Sequence, residues 1–542
     1  MIMQRGTAFL PKREDGFLKR TNWRWVVLVA VLLSGVVART YRPIAVPAGF
    51  DQDEISEAYE SYSLLKTGAD RWGYHLPVYF VGWGSGQNVL QAYATVPVIA
   101  LFGLSGFSVR FFDLACGLLT LPLFYAVCRR NFGAPSALLS TIFLALSPWH
   151  IMVSRWAVEC NSLPFFVLLG IFCFQEALER RSALLTAICL IPFAIAFYVY
   201  GISLVVVPTL MLLLLAKEFR RIKADWHIWT IGAAVFLAIS SPFIFFVWKN
   251  YLVKRSYDFE RYLPVSVPLI PVNRLHQLLK QESVISTNIH FLTHALQDHT
   301  TWSQVKLSPP IPLTVLAMAA IGILLTISRA IRSRRIPNPL VLWLVAALPV
   351  FLIVPIQINE AINVYAPLLA LAGAGAMALW YKLRHVRLRP VMVTVFWCLF
   401  AFESGWFLTS YFGKRYAAQS APDFHPEMKE VLVRLQNIAH PEDTVFLCNL
   451  LRLNYVYVLY YNRIDPKQLQ NAHATYANPD FAQYVFTRMR LAQRSGPVTY
   501  AIYLGETPIC ENPSEVSVIG MFETGRCLEP LPFIGPENSP LY

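Results

Sequence analysis

The sequence predicts a polytopic α-helical membrane protein with a small α/β domain at its C-terminal end. Three observations predict this. Of 542 residues, 56% are hydrophobic and 15% charged, with a mean hydropathy of +0.46, whereas soluble domains carry about 25% charged residues. Apolar runs of bilayer-crossing length recur from residue 24 to residue 411, and after Phe412 the pattern changes to one amphipathic helix and short alternating segments. The net charge of +13, from 46 Lys+Arg against 33 Asp+Glu, would by itself suggest nucleic-acid binding. The basic residues instead form short clusters between apolar runs, which is how charge marks the cytoplasmic side of a membrane. No basic, aromatic-rich module is present, and nucleic acid is excluded as a partner.

The elements follow in order. Residues 1–23 form a polar, basic cytoplasmic leader, and the first apolar run, Val26 to Val37, lacks a small-residue cleavage site and reads as a signal anchor. A spanning helix needs about 20 mostly apolar residues. Candidates centre on Arg24 to Arg39, Val89 to Leu104, Arg110 to Cys128, Ala134 to Trp149, Cys160 to Gln175, Ser182 to Tyr200, Ile202 to Ala216, Trp226 to Val247, Ile311 to Ile327, Pro337 to Ile358, Ala361 to Tyr381 and Pro390 to Tyr411. If Val89 to Leu104 lies along the surface, all the basic clusters, from Lys12–Arg24 through Arg129–Arg130 to Lys382–Arg389, fall on one side. That count gives about eleven spans across residues 24–411. It puts a first loop (41–109), a large loop (248–310) and the domain of residues 412–542 outside the cytoplasm, in a multi-pass protein of the plasma membrane with a cytoplasmic N-terminus. The nine cysteines have no zinc spacing. Cys510 and Cys527 lie in the tail, where they either pair in an oxidising compartment or remain free.

Chemistry is expected on the outer face. Asp51-Gln52-Asp53-Glu54 opens the first loop with capping-box spacing, a helix start that also holds a carboxylate beside the bilayer as a general base. Gly82-Trp83-Gly84-Ser85-Gly86-Gln87-Asn88 lacks the strand-then-helix context of a nucleotide loop and reads as a polar turn offering N–H groups and amides to a phosphate or sugar. Arg155 interrupts two spans; it suits phosphate, or pairs structurally with Glu159 four residues on. Glu403 within the last span reads as a helix-packing residue, His290, His294 and His299 lack an accompanying carboxylate for a metal site, and Val272 to Gln281 suits a second surface helix.

One ordered set of residues resembles a known family. Asp53-Glu54, Gly68 to Gly73 with Pro77-Val78-Tyr79, Gly84 to Gln87, Leu101-Phe102-Gly103 with Val109-Arg110, and Ser147-Pro148-Trp149 with Ser154-Arg155 and Asn161 are similar to bacterial GT-C glycosyltransferases. The family is the protein O-mannosyltransferase-like one, which includes the aminoarabinose transferase of lipid A. The resemblance is ordered over residues 45–215, looser through the later spans and poor in the tail. It implies a GT-C fold and transfer of a sugar from a polyprenyl-phosphate carrier to an acceptor hydroxyl, the acceptor being a protein, a lipid or an envelope polymer. It implies Asp53 as base with Glu54 beside it and places Arg155 where a donor or supporting residue is expected; the candidate donor contacts are Arg71, Gln87, Asn88 and Arg155, with His75, Tyr93, Glu159 and Asn161 as supporting residues. Some relatives have a phosphate-binding lysine where this chain has Gln87-Asn88, so the phosphate must meet another cation: Arg71, Arg155 or one in the large loop. A phosphate leaving group needs no general acid, so one base suffices and single displacement inverts the anomeric centre. No cofactor is assigned, and a divalent metal held by the loop acids stays open. The competing classes are a transporter or lipid flippase, which should show paired halves with midplane charges, and a noncatalytic assembly subunit.

Overall fold

The computed structural model describes residues 21–82, 85–255, 264–271, 284–298, 300–448, 451 and 453–531. The apolar runs fold as helices: α1 (Thr21–Thr40), α2 (Gln52–Thr67), α3 (Leu90–Phe102), α4 (Gly106–Phe132), α5 (Ala134–Ala145), α6 (Pro148–Val153), then α7 (Leu163–Arg180) to α11 (Trp226–Val247) and those after them. Among the described residues, seven helices are long and apolar enough to cross a membrane. Each of these coincides with one of the eleven expected spans. Three further expected spans fall on shorter apolar helices, Ala134–Ala145, Ala183–Ala196 and Pro339–Ile353. The remaining one falls on Ser203–Ala224, whose last turn is basic. Helix α3 has 13 residues and encloses Pro97; at 1.5 Å per residue it is about 20 Å long, short of the roughly 30 Å hydrocarbon core. The expected surface helix at Val272 to Gln281 lies outside the described residues.

The chain divides into two units. One comprises residues 1–46, 112–241 and 275–419 and holds most of the apolar helices. Its centre is helix Ile362–Lys382, packed between α5 and helix Leu313–Ser333. Added Cβ atoms at Gly373 and Gly375 would collide with Ser140 and with the Met318 carbonyl, so the small-residue run Ala370 to Ala376 is what lets these backbones approach. Glu403 accepts the backbone N–H of Leu313 (2.9 Å) and of Thr314 (3.3 Å) and the Thr314 hydroxyl (2.5 Å). It therefore caps the N-terminus of the neighbouring helix, the packing role expected of it.

The other unit gathers residues 47–111, 242–274 and 420–542. Its sheet has the order β2-β1-β3-β5-β4, from β1 (Thr444–Leu447), β2 (Tyr484–Val485), β3 (Val498–Tyr503), β4 (Ser514–Ile519) and β5 (Phe522–Cys527). Strand β1 is parallel to β2 and β3, while β3, β5 and β4 are antiparallel. Helix Met428–Ile438 lays Val431, Leu432, Leu435 and Ile438 on the sheet, matching the helix expected at His425 to Ala439. The strand expected over Glu515 to Phe522 instead breaks at Gly520 (φ +58°), and the chain doubles back as β5. Only Phe522 and Cys527 of that strand are strongly apolar, so its sequence carries no alternation. Cys510 and Cys527 form a disulfide, resolving the alternative left open by the sequence.

Candidate functional site

Helix α2 is built by its first four residues. Asp51 accepts the N–H of Asp53 (2.9 Å), and the Asp51 N–H donates to Glu54 (3.3 Å), the reciprocal pair expected from the spacing. Gly68 ends the helix in the left-handed conformation, φ +70°. Four acids follow on this helix: Asp53, Glu54, Glu57 and Glu60. Glu54, Glu57 and Glu60 are buried, whereas Asp53 is partly exposed.

Glu54 is a structural residue as well as a neighbour of Asp53. Its two oxygens accept Arg110 Nε (2.8 Å) and a terminal nitrogen (2.9 Å), and Arg110 also donates to the carbonyls of Pro47 and Gly49 (both 2.8 Å). Arg110 thereby ties the segment before α2 to its first turn. Its role was not legible in the sequence, where it stands only at the start of an apolar run. Burial raises the Asp51 carboxyl well above its ordinary value, reinforced by Asp53, and then by Glu54 and Asp423.

Arg71 is equally committed. It donates to Glu60 through its backbone N–H (2.9 Å) and Nε (2.5 Å), to the Ser56 carbonyl (2.9 Å) and hydroxyl (2.5 Å), and to the Tyr455 hydroxyl (3.4 Å). Ser56 in turn donates to Gln87 Oε1 (3.3 Å). Backbone bonds in both directions join Gln87 to Phe80 and fold the glycine turn back, and Gly86 (φ +101°) leaves no space for a Cβ against Tyr79 and Phe80. Trp83 and Gly84 of this turn lie outside the described residues. Asn88 is buried beside it, His75 is exposed, and Tyr93 donates to the Pro77 carbonyl (2.9 Å). The tail supplies helix Asn454–Tyr461, which packs on α2. Tyr457 donates to the Phe50 carbonyl (3.4 Å), and the Tyr59 hydroxyl donates to the Ile464 carbonyl (2.9 Å). This tyrosine-rich cover was not anticipated, because its residues lie far along the chain from α2.

Arg155, Glu159 and Asn161 belong to the other unit. Arg155 is buried and donates to the carbonyls of Ala38 (3.1 Å), Arg39 (2.8 Å), Tyr41 (2.7 Å), Arg42 (3.0 Å) and Val46 (3.2 Å). A guanidinium at a helix C-terminus satisfies the unpaired carbonyls there and opposes the negative end of the dipole. Its fork is therefore occupied by the end of α1. Glu159 is half-buried, and Asn161 donates to the Trp156 carbonyl (2.9 Å). Among the described residues, no group of three or more His, Cys, Asp or Glu side chains is arranged to hold a metal ion.

Residues 89–246 match the family model of dolichyl-phosphate-mannose-protein mannosyltransferase. ArnT from Cupriavidus metallidurans, solved bound to undecaprenyl phosphate, superposes with a TM-score of 0.56 over 94% of this chain and 98% of that one, at 14% identity. The chain has an ArnT-like fold. The Archaeoglobus fulgidus oligosaccharyltransferase in its apo form shares the GT-C fold with it at a TM-score of 0.50 and 13% identity, over 83% of this chain and 64% of that one. An uncharacterized protein of Aquifex aeolicus (strain VF5) is 30% identical over 176 residues, 31% of this chain. The match spans about a third, 34%, of that relative's length.

Proposed function

We propose that this protein transfers a sugar from a polyprenyl-phosphate-linked donor to an acceptor hydroxyl at the outer face of the plasma membrane, with Asp53 as general base. The observation that carries the reading is the division of labour at the start of α2. Asp51 and Glu54 are buried in the capping box and the Arg110 pair, while Asp53, on the same turn, is partly exposed. A carboxylate held in this way can take the acceptor proton as the hydroxyl oxygen attacks the anomeric carbon. The bond to phosphate breaks, and the departing phosphate needs no proton. Inversion follows from single displacement.

The family match and the undecaprenyl phosphate bound by the ArnT relative support the donor class. Of the cations open to this role, Arg71, Arg155 or one in the large loop, we assign phosphate binding to Lys249 of the large loop. It lies in the same unit as Asp53, it is 6% exposed, and its ammonium donates to the Val267 carbonyl at 2.5 Å. Next to Val267, Ser266 accepts the Val78 N–H (3.0 Å), which brings this segment alongside the Pro77-Val78-Tyr79 stretch. A buried ammonium near hydrocarbon is costly without such a task. Gln87, Asn88 and the N–H groups of the glycine turn remain the sugar contacts of this reading. The disulfide supports an oxidising, extracytoplasmic location for the tail.

Reconstitution with a labelled polyprenyl-phosphate sugar tests both assignments. Asp53→Asn should lower turnover by roughly 10²–10⁴-fold, and Lys249→Gln should raise KM for the donor with a smaller change in kcat. Release of polyprenyl phosphate by Asp53→Asn at the wild-type rate would remove Asp53 from its role, and an unchanged donor KM would remove Lys249.

A further inference from the structure

A groove on the tail domain has the chemistry of a sugar site. It lies between helix Met428–Ile438 and the β1–β2 edge of the sheet and encloses about 220 Å³, below the roughly 300–1,000 Å³ of pockets for drug-sized ligands. Leu432, Leu435 and Val445 form an apolar wall, and Gln436, Asn462, Gln483 and Tyr484 supply the polar lining, with His440 beside them. The Asn462 amide donates to the Tyr484 hydroxyl (3.1 Å), which fixes one edge. Among the described residues, the side-chain amides of Gln436 and Gln483 make no hydrogen bond.

Amides both donate and accept, as do the hydroxyls of a sugar, while the apolar wall suits the C–H face of a pyranose ring. Among the described residues, no lysine or arginine lines the groove, so it is poorly suited to the phosphate of the donor. Strand β2 has two residues, Tyr484–Val485, too few to template an added peptide strand. We propose that this groove holds one neutral sugar unit of the acceptor, making the acceptor a glycan or glycoconjugate; this rests on the glycosyltransferase reading above.

Saturation-transfer NMR on the detergent-solubilised full chain tests it. The probes are the methyl glycosides of mannose, glucose, galactose and N-acetylglucosamine. At least one should receive saturation at its ring protons, and the Gln436→Ala/Gln483→Ala double variant should weaken its binding roughly tenfold, the expected loss for two hydrogen bonds. Gln436 is exposed and Gln483 partly exposed, so that variant should melt like wild type. Asp53→Asn should bind the probe normally, which separates the groove from the catalytic assignment: unaltered binding together with transfer at the wild-type rate in that variant would fault only the latter. Saturation of none of the four glycosides, binding that the double variant leaves unchanged, or displacement of the glycoside by peptide rather than by sugar would overturn the proposal.

Discussion

Arg110 and Glu54 form a buried ion pair, with side chains 2% and 0% exposed, and it holds the turn that carries Asp53. Removing one member leaves the other charged and without its partner, at a cost of about 3–5 kcal/mol, whereas replacing both with uncharged residues of similar size costs much less. Arg110→Ala should therefore lower the thermal unfolding midpoint sharply, and Arg110→Met/Glu54→Gln should recover most of the loss. Equal melting of Arg110→Ala and wild type would show that the pair does not hold this turn. The capping box was legible in the sequence because its groups lie three residues apart. The Arg110 pair was not, because 56 residues separate its members and nothing local distinguishes an arginine that pairs from one that anchors a helix at the interface. The same holds for the partners of Arg155: its guanidinium donates to five backbone carbonyls, and carbonyl partners leave no mark in a sequence.

Among the elements, the long helices were the most legible and the sheet the least. An apolar run of 20 residues has one stable outcome in a bilayer, whereas β2 and β5 exist because β1 and β3 offer them edges. The sheet is stitched by Asp443, which accepts from Thr499 of β3 (2.7 Å), from Arg526 of β5 (2.7 and 2.9 Å) and from the His440 N–H (3.1 Å). Burial raises the Asp443 carboxyl, but the hydrogen bonds from Arg526 and Thr499 outweigh it and hold the pKa at about 2, below the ordinary 3.8. A lowered carboxylate stabilises the fold in full above its unfolded value and loses that contribution as pH falls through the folded value. Stability of the tail domain should thus decline between about pH 4 and pH 2, and Asp443→Asn should flatten that decline. An unaltered acid limb in the variant, followed by tryptophan or tyrosine fluorescence, would contradict this.

At the scale of the whole molecule, the charge excess reads as sidedness. The eleven-span topology predicts that Arg129, in the last turn of α4, faces the cytoplasm. A cysteine placed there should resist a membrane-impermeant maleimide in intact cells and react after permeabilisation; reaction from outside would reject the topology. The catalytic reading depends on this, since it puts the α2 turn and the tail on the same outer face. The division into units was not legible, because the tail groups with the first loop through contacts such as Arg71 to Tyr455, 384 residues apart.

That separation also sets a clock. At roughly 5–20 residues per second of synthesis, Tyr455 emerges about 20–80 s after Arg71. During that interval the first loop has its acids and its arginine in place but lacks its tyrosine cover. A chain stalled or truncated before residue 420 would leave the α2 face open to water and to quality-control proteases, so the first loop is completed only by a segment made 384 residues after Arg71.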